Sequence, residues 1–418
     1  MRSKIARLFA VGPNLRALTP GTSHRLDILD AVRVIAFAYV VLHHCATFLF
    51  YCVPFEEMRA LLVQPAFAWV LEGELSVDLF FALSGFLITE ILLKEIRGSG
   101  TLRLGRFYAR RFLRLAPVYY VFLGLVWVGT QPHENAHNLW VNALWLNNWL
   151  WVQDMAVIWT WSLAIEEQFY LTFPLLLLLL LKAPAGWRLG LLIGAIALNG
   201  GVFLGLMQKH GLHMPHLGSM LDLARFNLFC DALYTKPYTR YGAILIGALV
   251  AWLVAFHPRV LDLSGRRRWL QFACLGTALV ASAWLLHRDQ EASGWWADVC
   301  YAHHHQVAGA VAALFIVLAL QREGLGVWLS RLLPAKVFMA PSHLTYTGYL
   351  IHPFVIRAYY KGFWFWPGAG IDKVSDWGIA TLLGHFAVVL VVTYLLTVPL
   401  YLLVERPGMN LRDFGKQR

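Results

Sequence analysis

Arg33 and His44 stand eleven residues apart in a largely apolar stretch. That is close to three turns of an α-helix, so both share one face, about 16 Å apart along the axis. An imidazole, which titrates near neutrality, is well suited to take a proton from a hydroxyl group. Asp30, three residues before Arg33, falls on the same face and can pair with it. His43 is rotated by about 100° and is expected to face elsewhere.

Similar exceptions recur along the chain. Glu74 and Asp78 place two carboxylates one turn apart at the head of an apolar run. The small residues Ala82, Ser84 and Gly85 follow, and they suit close helix packing. Trp161-Ser162-Leu-Ala-Ile-Glu166 sets Ser162 and Glu166 on one face just before Leu175–Leu181. Carboxylates in such surroundings need Arg or His partners from other helices, either as a structural ion pair or to orient an imidazole and balance its charge. A later segment adds Ser342, His343, Tyr346, Tyr349 and His352.

Arg103, Arg106, Arg110, Arg111 and Arg114 form the densest run of charge, a loop leading into Leu115-Ala-Pro117. One reading is an anchor to anionic lipid headgroups. The other is a phosphate clamp for an adenine nucleotide carrier, because Arg111 and Arg114 share a helix face and guanidinium forks bind phosphate bidentately. His303, His304 and His305 look like a metal tract, but consecutive helical residues point about 100° apart and cannot converge on one ion. His213 and His216, in an outer loop, are no better placed, and no metal is expected. Five cysteines without CxxC spacing give no zinc site or disulfide framework. Cys230 and Cys300 could pair across outer loops, but small apolar fillers is the simpler reading.

These residues are set in a chain of 418, of which 59% are hydrophobic and 14% charged. Soluble domains hold about 25% charged residues, so a water-soluble globule is excluded, and so much apolar surface excludes intrinsic disorder. The 18 Trp, 16 Tyr and 26 Phe suit membrane interfaces. Runs long enough to cross a bilayer fall near 31–53, 75–94, 115–130, 159–181, 189–207, 239–256, 269–286, 303–320, 337–361 and 378–403. The segment Leu139–Val152 reads as a half-inserted hairpin. The expected fold is therefore all-α, a polytopic membrane helix bundle of about ten transmembrane helices. Basic residues orient it: with the N-terminus inside, inner segments hold 25 of the 35 Lys and Arg and outer segments nine, including Arg225, Lys236 and Arg240. Both termini are then cytoplasmic. The net charge of +11 thus describes topology, and no nucleic-acid partner is expected. A basic N-terminal segment over 1–30, a single membrane domain over 31–405 and a short tail over 406–418 complete the organisation. The apolar runs before the first span are too short for a cleaved leader.

Taken in order, the polar segments resemble the acyltransferase 3 family of membrane acyltransferases. Leu29-Asp30-x-x-Arg33 followed by His43-His44 is similar to its opening motif, and Ser76-Val-Asp78-x-Phe80-Phe81-x-Leu83-Ser84-Gly85-Phe86 to its second block. Arg110-Arg111-x-x-Arg114-Leu115-x-Pro117 is similar to its cytoplasmic Arg-x-x-Arg block, and Trp161-Ser162-Leu163-x-x-Glu166 to the fourth. Tyr349-Leu350-x-His352-Pro353 and Glu405-Arg406-Pro407 are similar to the last two. The departures are Ser76 where the family commonly has Gly and Ala31 where Gly is usual, each a small residue for a small residue.

The resemblance implies transfer of an acyl group, often acetyl, from acyl-CoA to a hydroxyl of a carbohydrate, a lipid-linked sugar or a glycosylated small molecule, in the cytoplasmic (inner) membrane and in contact with its lipids. On that reading His44 is the general base, with Glu166 or Asp78 orienting an imidazole. Arg110, Arg111 and Arg114 grip the CoA phosphates, and Arg33 helps to position its chain. Asp30, Trp161, Ser162, Tyr349 and His352 line the substrate path. Two other classes fit parts of the pattern. A transporter or flippase of a polar lipid-linked substrate would use the buried charges as a pathway, although no inverted repeat is visible. A haem or quinone protein would need facing His pairs, such as His44 and His352.

Overall fold

The computed structural model describes residues 8–19, 27–62, 64–129, 135–213, 222–287, 294–362, 369, 371, 373–374 and 376–414. Ten helices of at least 18 residues dominate them: α1 (Asp27–Thr47), α2 (Ser76–Ser99), α3 (Leu104–Gly129), α4 (Trp161–Lys182), α5 (Ala185–His210), α6 (Pro237–Phe256), α7 (Trp269–Leu286), α8 (Trp295–Ala319), α9 (Ala335–Lys361) and α10 (Ile379–Leu400). No β-strand occurs among the described residues. Nine of the ten lie in spans long and apolar enough to cross a membrane. The exception is α9, whose polar face lowers its hydropathy. The chain is a multi-pass helical membrane protein.

Helix ends follow local chemistry. Pro237 stands in the first turn of α6, where a missing N–H costs nothing. Gly211 ends α5 at φ +60°, and the N–H of Leu212 returns to the carbonyl of Met207. Two boundaries differ from expectation. The arginine run expected as a loop belongs from Arg106 onward to the start of α3, since Arg is a good helix former and no Gly or Pro interrupts Arg106–Arg114. Helix α8 begins at Trp295, eight residues earlier than expected, so His303, His304 and His305 lie well inside it. The segment expected as a half-inserted hairpin is a short helix, Leu139–Ala143, followed by 3-10 turns.

The chain divides into two compact units. One comprises residues 1–76, 105–126 and 330–418 and contains α1, α9, α10 and most of α3. Within it α9 packs along both α1 and α10. The other comprises 77–104 and 127–329, and in it α6 packs against α5 and α8, with α7 against α8. Glycines let helix backbones touch in this second unit. A Cβ on Gly247 would lie 1.9 Å from the carbonyl oxygen of Ala82, and one on Gly85 1.9 Å from that of Ile244. Short π-helical turns interrupt both units, at Cys230–Tyr234 and Tyr401–Glu405; such turns often re-aim side chains at functional sites.

Candidate active site

In the first unit, α1 and α9 run side by side and bring their polar residues together. Near one end of α1, Asp30 Oδ1 accepts from Arg33 Nη1 at 2.9 Å and from Ser342 Oγ at 2.7 Å. Further along, His44 Nδ1 lies 2.6 Å from His352 Nε2, with the rings stacked at 4.9 Å between centroids. His352 is fully buried, and its Nδ1 is 2.8 Å from the backbone carbonyl of Tyr349. Phe37 packs edge-on against the His352 ring. His43 turns away, as expected, towards the carbonyl of Val70.

The carbonyl fixes the protons along this chain. A carbonyl oxygen only accepts, so His352 Nδ1 carries the hydrogen and its Nε2 keeps a lone pair. His44 Nδ1 must then donate to that nitrogen, which leaves the lone pair of His44 on Nε2. The order is carbonyl, imidazole, imidazole, and the terminal nitrogen is a base of defined tautomer. A second group orients the base here as the carboxylate does in hydrolase triads. The same contact disfavours the haem reading, because two axial imidazoles on opposite sides of one haem iron would hold their ligating nitrogens about 4 Å apart, at the metal–nitrogen bond lengths of about 2 Å usual for imidazole.

The arginines of α3 belong to the same unit. Arg114 is exposed, while Arg110 and Arg111 are partly buried, and Arg111 lies over the Phe107 ring. Arg114 acts electrostatically on Glu405, which the π-turn at the end of α10 presents to Thr347, whose hydroxyl donates to it at 2.5 Å. Arg114, Arg33 and Asp30 also all act on His343. Arg114 of α3 thus adds a cationic group to the polar end of α1 and α9.

The second unit holds a separate buried cluster. Asp78 and Arg240 are wholly buried, with Arg240 Nη2 3.2 Å from Asp78 Oδ2. His305 Nδ1 donates to the same carboxylate oxygen at 2.7 Å, and Arg240 Nη1 donates to His305 Nε2. The guanidinium is wrapped by aromatic rings, with its carbon 5.2 Å from the Trp161 centroid and 5.0 Å from that of Tyr234. Tyr234 is delivered by the π-turn that follows Phe229. Nearby, Ser84 Oγ donates to Glu166 Oε1 at 2.5 Å, and Ser162 is buried in α4.

Asp78 and Glu166, expected near the imidazole of the base, are instead paired with His305 and Ser84. The partner of His44 is His352. Arg240, assigned to an outer segment by its charge, is instead inside α6 with no exposure. The lone arginine in an otherwise apolar run was the available signal. All five cysteines, Cys230 and Cys300 included, are unbonded. His216 lies outside the described residues. Among the described residues no group of three or more metal-ligating side chains converges.

The fold and these clusters meet a known family. Residues 26–402 match the acyltransferase domain of the acyltransferase 3 type, and the chain belongs to that family. It is similar to the nose resistant to fluoxetine protein 6 of Caenorhabditis elegans, 25% identical over 80% of this chain and 45% of that one. A putative O-acetyltransferase of Staphylococcus aureus is 30% identical over 44% of this chain and 31% of its own. The peptidoglycan O-acetyltransferase OatA of Listeria monocytogenes is 31% identical over 43% and 32%. The chain spans less than half the length of each of these relatives. No solved structure matches it.

Proposed function

We propose that the chain transfers an acyl group, acetyl in the simplest case, from acyl-CoA to a hydroxyl of a carbohydrate or glycosylated acceptor. The observation that carries this reading is the His44–His352 pair, held in one tautomer by the Tyr349 carbonyl. Family membership and the O-acetyltransferase names of two relatives support it.

In the proposed reaction the acceptor O–H gives its proton to His44 Nε2 as its oxygen attacks the thioester carbonyl. The C–S bond breaks, and the CoA sulfur leaves with the proton that His44 has held. The positive charge on the intermediate imidazolium spreads to His352 through the Nδ1 hydrogen bond. Arg110, Arg111 and Arg114 hold the phosphates of the donor from the cytoplasmic side, where guanidinium forks match phosphate oxygens. Arg33, braced by Asp30, positions the donor chain, and Tyr349 serves through its carbonyl. The buried set of Asp78, Arg240, His305 and Trp161, with the Ser84–Glu166 bond, holds its own unit in shape. The protein works in the cytoplasmic (inner) membrane with both termini inside, and needs no metal.

Purified chain in liposomes, supplied with radiolabelled acetyl-CoA and a panel of hydroxyl acceptors, tests the reading. Release of CoA matched by label on one acceptor class is expected. Acceptor movement across the bilayer without thioester cleavage would favour a flippase instead.

A further inference from the structure

We infer that Pro353 is a positioning residue for His44, acting as a tautomer lock through a hydrogen bond that it does not make. In an α-helix each backbone N–H donates to the carbonyl four residues earlier. Proline has no N–H, so the position after His352 brings no helix donor to the carbonyl of Tyr349. That oxygen is the one His352 Nδ1 reaches at 2.8 Å. The proline thus reserves for an imidazole an acceptor that the helix would otherwise claim.

A comparison within the chain shows what is special here. In α8, His304 Nδ1 also turns back to the carbonyl three residues earlier, that of Tyr301. No proline follows it, and His305 supplies the ordinary helix donor to the same oxygen. There the imidazole shares its acceptor. At His352 the helix supplies no such donor, and His352 is the ring whose Nε2 must stay deprotonated for His44 to present its own lone pair.

The consequence rests on the role proposed for His44. Replacing Pro353 with Ala returns an N–H to compete for the Tyr349 carbonyl. His352 can then adopt its other tautomer, with hydrogen on Nε2. It would donate to His44 Nδ1, which forces the His44 hydrogen onto Nε2 and removes the base. Splitting a hydrogen bond of ordinary strength should lower kcat roughly two- to tenfold. The KM for acyl-CoA should be unchanged. Helix stability should be equal or higher, since a helix hydrogen bond is gained and a proline lost.

The decisive experiment compares three full-length proteins in lipid: wild type, Pro353→Ala, and the same position carrying the α-hydroxy analogue of alanine, whose ester bond also lacks an N–H. Each is assayed for kcat and KM and examined by NMR with histidine ring ¹⁵N labels. The expected result is a lower kcat and a changed His352 tautomer in Pro353→Ala, both restored by the ester. Pro174→Ala in α4, another proline inside a membrane helix, should leave kcat unchanged. Wild-type kcat and tautomer in Pro353→Ala would overturn the inference. Equal loss in the alanine and ester proteins would overturn it too, by pointing to the ring's bend and not to the missing donor. If no protein transfers acyl groups, the proposed function fails, while the NMR tautomers still decide the lock.

Discussion

His44 Nδ1 and His352 Nε2 stand 2.6 Å apart although 308 residues separate them in the chain. Helices α1 and α9 each contribute one ring, and the proton position on the α1 ring is set by the α9 ring. Together with the Tyr349 carbonyl they form a directed relay that ends on His44 Nε2.

Replacing His352 should therefore impair turnover more than binding. His352→Ala is expected to lower kcat by about ten- to a hundredfold, within the range general-base assistance supplies, with little change in the KM for acyl-CoA. The pH–rate profile should change as well, because the base loses its partner. Steady-state kinetics across pH 5–9 would check this; an unchanged profile would count against the relay.

The α3 arginines should govern donor affinity. Arg111→Gln and Arg114→Gln are each expected to raise the KM for acyl-CoA about tenfold, the scale of one lost hydrogen bond to a charged group, with a smaller effect on kcat. Wild-type affinity should fall as salt rises, since exposed ion pairs are screened. Titration of a non-hydrolysable acyl-CoA analogue at low and high salt measures both. A salt-insensitive affinity would assign these residues to lipid anchoring.

Asp78 and Arg240 should matter first for stability. Breaking a fully buried pair leaves one uncompensated charge, at a cost of about 3–5 kcal/mol. Asp78→Asn and Arg240→Met are each expected to lower the unfolding temperature sharply, and the double variant to lose less than the sum of the two. Thermal unfolding in detergent would show it, and additive losses would mean that the two are not coupled.

Gly247→Val tests the helix contact beside that pair. Its Cβ would meet the Ala82 carbonyl oxygen at 1.9 Å, so the backbones must separate. Overpacking of this kind costs roughly 1–3 kcal/mol. A variant as stable as wild type would show that α2 and α6 are free to part.

The helical architecture was legible in the sequence because hydropathy reports burial in lipid directly. Nine of ten expected spans meet the length and apolarity of membrane helices, and α9 falls short because its polar residues are those of the site. The face shared by Arg33 and His44 was readable from helical spacing. Their partners were not. Spacing says nothing about which ring meets which, and His352 lies 308 residues from His44. Arg240 was misread because charge counting assigns a basic residue near a span end to the adjacent loop, whereas Asp78 and His305 hold it inside. The π-turns that aim Tyr234 and Glu405 leave no trace in hydrophobic periodicity, since each widens only a single helical turn, one at the end of its helix and one between α10 and the helix that follows it.

The central claim is that His44 takes the acceptor's proton, and the most direct measurement is the rate of acyl transfer by His44→Ala protein reconstituted in lipid with acetyl-CoA and a competent acceptor. The account predicts a loss of about 10²- to 10⁴-fold in kcat, with acyl-CoA binding and the unfolding temperature close to those of wild type. Transfer at the wild-type rate by a folded, donor-binding His44→Ala protein would contradict it.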